Sequence, residues 1–314
     1  MTPLTTLLRE EIGRSGPISF HQFMEAALYH PEYGYYRQPR DPFGKEGDFF
    51  TAEQLQPVFG ILIAARIRML YRAMGEPSDF TVVEIGPGRG EMVEQALPCS
   101  NKLTLVPLGA DLPDRFQGVV FSNEFFDALP VHRVVWVAGE PRESLVDWRE
   151  DRFVWVDGPP VTGEIRDYVE RYFPDSPGRS SGEVNLDALR WMERISQRLE
   201  SGYVFTIDYG YTAAESKRFP AGTLMSYRRH MATEDVLADP GERDITAHVH
   251  FTALEGHGLQ TARFETLART LLDAGEADQF AAALAGPDEA RRRLQLKTLL
   301  FGMGETFRTL LQRK

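Results

Sequence analysis

The chain of 314 residues contains one cysteine, Cys99. This excludes an intramolecular disulfide and any cysteine-rich zinc site, and it suits a reducing compartment. Basic residues are also in deficit, with 35 Lys and Arg against 46 Asp and Glu and a formal net charge of -11. Non-specific nucleic-acid affinity comes from clustered Lys and Arg, so a phosphate-backbone binder is not expected, and a basic partner is easier to accommodate. Long apolar runs are missing too. The longest, "VFGILIAA" (residues 58–65), is too short to span a bilayer and is followed by Arg66 and Arg68. The N-terminal "MTPLTTLLREEIGRSGPISF" has no continuous apolar stretch and carries Glu10 and Glu11 beside its arginines, so it reads as neither signal nor transit peptide. A cytoplasmic protein with no membrane partner is expected. Three catalytic signatures are absent as well. A dinucleotide fingerprint needs glycine at position 91, which is Glu91; no Lys-Ser/Thr pair makes a P-loop, and no G-x-S-x-G elbow is present.

With 42% hydrophobic residues, the chain can bury a sizeable core. "ISFHQFMEAALYH" (18–30) spaces its apolar residues at helical intervals after Ser19, a suitable cap. An unusually aromatic loop, "PEYGYYRQPRDPFGKEGDFF", follows. A second helix is expected after Thr51, either restarting or kinking at Pro57. "FTVVEIG" reads as a buried strand and "EMVEQAL" as the helix beyond the intervening glycines. "GVVFSN" supplies another strand. "HRVVWVAGEPRESLVDWREDRFVWVDG" alternates around turn residues and reads as an antiparallel ribbon inserted in the main fold. "LDALRWMERISQRLE" is again helical, and "GYVFTIDYG" is a strand. Strands alternating with helices imply a parallel sheet whose ligands lie beyond the strands' carboxyl ends. Glu84, Asn123 and Asp208, at three such ends, are therefore expected to share one cleft. "ARRRLQLK" reads as a solvated helix face.

The glycines of "VVEIGPGRGEM" let the backbone turn sharply and admit a ligand closely, and the following helix start offers N–H groups to an anion. Glu84 narrows the choice. A carboxylate there repels a pyrophosphate but favours an ammonium or sulfonium. S-adenosylmethionine carries both cations and a carboxylate. The alternative is a purely structural tight turn.

Several blocks together resemble the MidA-type S-adenosylmethionine-dependent methyltransferases: "GDFFTA", "VVEIGPGRGEM", "SNEFFDALPVHRVV", "FTIDYGY", "SYRRH", "PGERDITAHVHF" and "GMGETF", spread over most of the chain. A mitochondrial relative in that family methylates an arginine in a subunit of respiratory complex I during assembly. The resemblance implies an α/β class I methyltransferase fold, Rossmann-like and mostly parallel, with an N-terminal helical extension (1–74). The methyltransferase domain would be 75–314, with an insertion at about 131–200. It implies that Asp48, Phe49 and Thr51 help cover the cofactor. Glu84, Gly86, Gly88 and Gly90 would hold its amino-acid end, and Asn123 would line its far side. Relative to the family, only "QALPCSNKLTLVPLGADLPDRFQG" stands between the glycine turn and "NEFFDALP", about one strand-helix unit short. Asp111 is the nearest candidate for the acid that binds ribose.

Methyl transfer from a sulfonium is an in-line displacement, so positioning is most of the task. A guanidinium acceptor needs carboxylates to hold it and receive its proton. Glu124 and Asp127 are the candidates, set against a plain capping role for Asp127 and a solvent-facing Glu124. Asp208, Tyr209, His230, Asp244 and His248 are candidates for the substrate side. His248 and His250 would share one strand face, but no third ligand is evident and no metal is expected. The expected function is S-adenosylmethionine-dependent methylation of an arginine in a protein substrate. The alternatives are a small-molecule methyltransferase and a non-catalytic assembly protein.

Overall fold

The computed structural model describes residues 1–38, 55–88, 102–174 and 178–314. Asp48, Phe49, Thr51, Gly90, Cys99 and the expected helix "EMVEQAL" lie outside them. The chain forms two compact units, each built from three separate segments.

One unit comprises Thr51–Phe126, Trp191–Gly210 and Leu254–Lys314. Its centre is a sheet of β1 (Thr81–Ile85), β2 (Lys102–Val106), β3 (Phe116–Asn123), β4 (Leu199–Tyr211), β5 (Gln260–Thr266) and β6 (Phe307–Arg313). The strand order is β5-β6-β4-β3-β1-β2. β1 runs parallel to β2 and β3, and β3 to β4. β6 lies antiparallel between β4 and β5. Every residue of β1 is buried, the burial expected of a parallel strand covered on both faces. Phe59, Ile63 and Ile67 of the helix Val58–Ala73 join Val82, Val119, Phe205 and Leu271 in the core. That helix starts with Pro57 at its cap, and the expected stretch directly after Thr51 lies outside the described residues. In this unit the sheet ends at β2, and no described residue of the unit adds a strand to its outer edge. Among the described residues, β2 is thus the outermost strand on the side where the interval before Asn123 is short.

At the opposite end of the strands, Thr81, Gly118 and Gly202 stand in one row across β1, β3 and β4. An added Cβ at Gly118 would lie 1.9 Å from the Thr81 carbonyl oxygen, and one at Gly202 1.9 Å from that of Gly118. Both obstacles are backbone, so neither can rotate away. Gly118→Ala is expected to lower stability by about 1–3 kcal/mol in denaturant titration. An unchanged midpoint would show that the row is not tightly packed.

The other unit comprises Met1–Phe50, Asp127–Arg190 and Tyr211–Ala253. The helix Phe20–Tyr29 starts at Ser19, whose side chain and that of Gln22 form a capping box. The expected ribbon is present as His132–Val137, Glu140–Arg149 and Arg152–Pro160, joined by Ser181–Val184 and Ile18–Ser19 into a five-stranded antiparallel sheet. Phe20, Phe23 and Met24 pack with Val146, Phe153 and Ile245. The same unit carries a three-stranded antiparallel sheet of Met225–Arg228, Met231–Thr233 and Asp244–Thr246.

Candidate functional site

Parallel pairing of β1, β3 and β4 brings their carboxyl ends together: Ile85 is opposite Ser122, and Asn123 is opposite Ile207. Glu84 and Asn123 therefore stand at adjacent strand ends, and Asp208 follows Ile207 within β4.

Glu84 is 2% exposed, and its Oε1 has no hydrogen-bond partner among the described residues. Burial in apolar surroundings pushes its carboxyl up to about 8. Asn123 is also buried; its amide donates to Glu124 Oε1 at 3.1 Å, while its own Oδ1 is unpaired among the described residues. Both orphan atoms are acceptors. Buried acceptors call for a partner with N–H or O–H donors, such as an ammonium or a hydroxyl. Gly86 follows with φ +65° and donates its N–H to the Val106 carbonyl at 3.0 Å; Gly88 has φ +50°. A Cβ at Gly86 would come within 2.6 Å of Phe125 Cδ2. The turn is thus closed against an aromatic ring and only glycine fits.

Glu124, half-buried, has left-handed φ of +49° and donates its N–H to the Ile207 carbonyl at 3.0 Å. Phe125 packs edge-on against Phe126 and Trp191, with both centroid distances 5.2 Å. The Asp208 carboxylate has 0% exposure and accepts from the backbone N–H groups of Phe126 (3.1 Å) and Tyr209 (2.9 Å). Expected to face the substrate, it is instead turned onto the backbone. The Tyr209 ring lies edge-on to Phe307. Asp111 is 90% exposed and ion-paired with Arg194 at 3.1 Å.

The remaining candidates belong to the other unit. Asp244 is buried and accepts from the Tyr36 hydroxyl at 2.9 Å and its neighbour Ile245 N–H at 3.0 Å. Tyr29 stacks on Tyr36 at 5.6 Å and donates to the Ala128 carbonyl at 2.8 Å. Burial, then the charges of Asp244 and Asp127, hold both tyrosine hydroxyls well above their ordinary range, so they remain neutral donors. Asp127 lies in a turn, and its carbonyl takes the Ala247 N–H at 2.9 Å. Asp127 and Asp244 thus share a neighbourhood with Tyr29, Tyr36 and Tyr227. Sequence reasoning does not single out these tyrosines, although the aromatic stretch "PEYGYYRQP" holding Tyr36 is the available signal.

His230 is exposed with φ +61°. His248 is half-buried, with burial lowering its pKa and its N–H held by Thr223 Oγ1 at 3.0 Å. His250 is ringed by Tyr168, Tyr172, Phe173 and Tyr211, and its pKa is pushed down to about 4, chiefly by burial, so it is neutral at physiological pH. Among the described residues, no group of three or more His, Cys, Asp or Glu could hold a metal ion. No helix among them is long and apolar enough to cross a membrane.

A mainly parallel sheet with one antiparallel strand set next to its edge, carrying a glycine turn and an acid at the first strand's end, defines a class I methyltransferase fold. A family described as "Putative S-adenosyl-L-methionine-dependent methyltransferase" matches residues 109–269, half of the sequence, and the chain belongs to it. S-adenosylmethionine is accordingly the cofactor. A Drosophila melanogaster protein named "Protein arginine methyltransferase NDUFAF7 homolog, mitochondrial" is 29% identical over 310 residues, covering 79% of this chain and 68% of the fly protein. The human protein arginine methyltransferase NDUFAF7, mitochondrial, is 29% identical over 317 residues, covering 81% and 68%. A Burkholderia thailandensis protein solved with S-adenosyl-homocysteine superposes with a TM-score of 0.88 at 29% identity, over 99% of this chain and 92% of that one.

Proposed function

We propose that this chain methylates an arginine side chain of a protein. The observation that carries the proposal is the 29% identity, over about four fifths of the chain, with proteins named as arginine methyltransferases. The donor-seeking acceptors at Glu84 and Asn123 fit S-adenosylmethionine, and with the glycine turn they would hold its amino-acid end and far side. When bound, the cofactor supplies a methyl group activated by a sulfonium. Glu124 would hold the acceptor guanidinium by charge-assisted hydrogen bonds, concentrate electron density on the attacking nitrogen and receive its proton. Asp127 and Asp244, with the neutral Tyr29 and Tyr36, would form a second acidic neighbourhood suited to a basic peptide.

Glu124→Gln is expected to lower kcat about 100-fold while leaving cofactor affinity within about threefold. The assay presents arginine-containing peptides and a panel of amine metabolites with labelled S-adenosylmethionine, and mass spectrometry locates the methyl group. Methylated metabolites with untouched peptides would replace the proposal with a small-molecule methyltransferase.

A further inference from the structure

We infer that Asp208 is a positioning residue for Glu124, acting through the backbone of the turn that follows β3. This deepens the proposed reaction and rests on the role given there to Glu124.

A buried carboxylate is costly unless donors surround its oxygens. At Asp208 the donors are main-chain N–H groups: Phe126 on Oδ2 and Tyr209 on Oδ1. One residue earlier on β4, the Ile207 carbonyl takes the Glu124 N–H. The residues on either side of Phe125 are therefore both tied to consecutive residues of β4. Between these ties Glu124 adopts φ +49°, a left-handed conformation that is unfavourable for a non-glycine residue. Such a conformation persists where surrounding structure over-determines it, and it fixes the direction in which the side chain leaves the backbone. Asn123 Nδ2 then steadies the carboxylate itself at 3.1 Å. The same two ties set Phe125, whose ring closes on Gly86. One buried acid thereby holds the acceptor-side carboxylate and the wall of the glycine turn in register.

Asp208→Asn keeps the size but turns one of the two acceptors into an NH2 donor facing a backbone N–H. Hydrogen exchange at the Phe126 amide is expected to accelerate at least about tenfold, the loss of one charge-assisted hydrogen bond. In turnover, kcat is expected to fall about 10- to 100-fold, as misplacing a catalytic group by a fraction of its length does. If Asp208 acts through Glu124, adding Asp208→Asn to Glu124→Gln should cost less than about threefold more, because the group being positioned is already disabled. Asp208→Glu retains both acceptors one methylene out of place. It gives an intermediate kcat and serves if the Asn variant does not fold. Unchanged exchange at Phe126 overturns the clamp. Multiplying losses in the double variant overturn its action through Glu124. The exchange measurement needs no turnover, so a chain that methylates nothing defeats the reading of Glu124, while exchange alone still supports or overturns the clamp.

Discussion

Gly86→Ala is expected to weaken S-adenosylmethionine binding at least about 100-fold and to cost about 1–3 kcal/mol of stability. Two separate penalties meet at this position. Its φ of +65° is unfavourable for any residue with a Cβ, and the added carbon would lie 2.6 Å from the Phe125 ring. Phe125 is not free to step aside, because it is buried against Phe126 and Trp191. Either the glycine turn opens or the segment carrying Glu124 shifts, and both change the site. Calorimetric titration of wild type and variant measures the first effect and chemical denaturation the second. Adding Phe125→Leu should restore part of the lost affinity if the ring is the obstacle. Wild-type affinity in the single variant would mean that this turn does not hold the cofactor.

Glu84→Gln is expected to stabilise the free protein in alkali and to impair cofactor binding. The folded-state value of about 8 lies above the unfolded value of 4.5, so between these limits the folded chain keeps a proton that the unfolded chain has lost. Stability therefore falls as pH rises through that window and levels off above it, by up to about 5 kcal/mol. A glutamine stays neutral and escapes the loss. Wild type and variant should melt alike near the lower limit and diverge steadily, with the variant ahead above pH about 8. Binding runs the other way. An ammonium is best held by the ionised carboxylate, so near neutral pH wild type should release a proton on taking up S-adenosylmethionine, and the variant should not. Titration in buffers of different ionisation enthalpy reads that proton directly. Parallel melting curves across the window would overturn the raised carboxyl value, and binding that releases no proton in wild type would remove Glu84 from the cofactor site.

Much of this arrangement is legible in the sequence where the signal is local. "FTVVEIG", "GVVFSN" and "GYVFTIDYG" are short apolar runs ending in polar residues, and those endings are the strand ends that converge. The ribbon from His132 shows its period directly, and Ser19 announces a capped helix. Less legible is whatever depends on pairing between distant segments. "KLTLV" is short and only its last residue is fully buried, so β2 is recognisable mainly from its place beside β1. β5 and β6 match across some fifty residues, and nothing local in "QTARFET" or "FRTLLQR" states which strand each will meet. The direction of a side chain is harder still. An acid after a strand looks the same whether it keeps an oxygen without a partner among the described residues, as Glu84 does, or turns onto its own backbone, as Asp208 does.

The interleaving of the two compact units bears on how the chain comes to be folded. Neither unit is a continuous stretch: the chain passes from one to the other after Phe50, Phe126, Arg190, Gly210 and Ala253. A ribosome making this sequence has delivered every piece of the unit that begins at Met1 by Ala253, whereas the unit of the parallel sheet still lacks β5 and then β6. That strand belongs in the interior of its sheet, between β4 and β5. Until residue 313 has been synthesised, the nascent chain carries two open strand edges where one filled slot will be, a natural point for chaperone engagement and an unforgiving one for truncation.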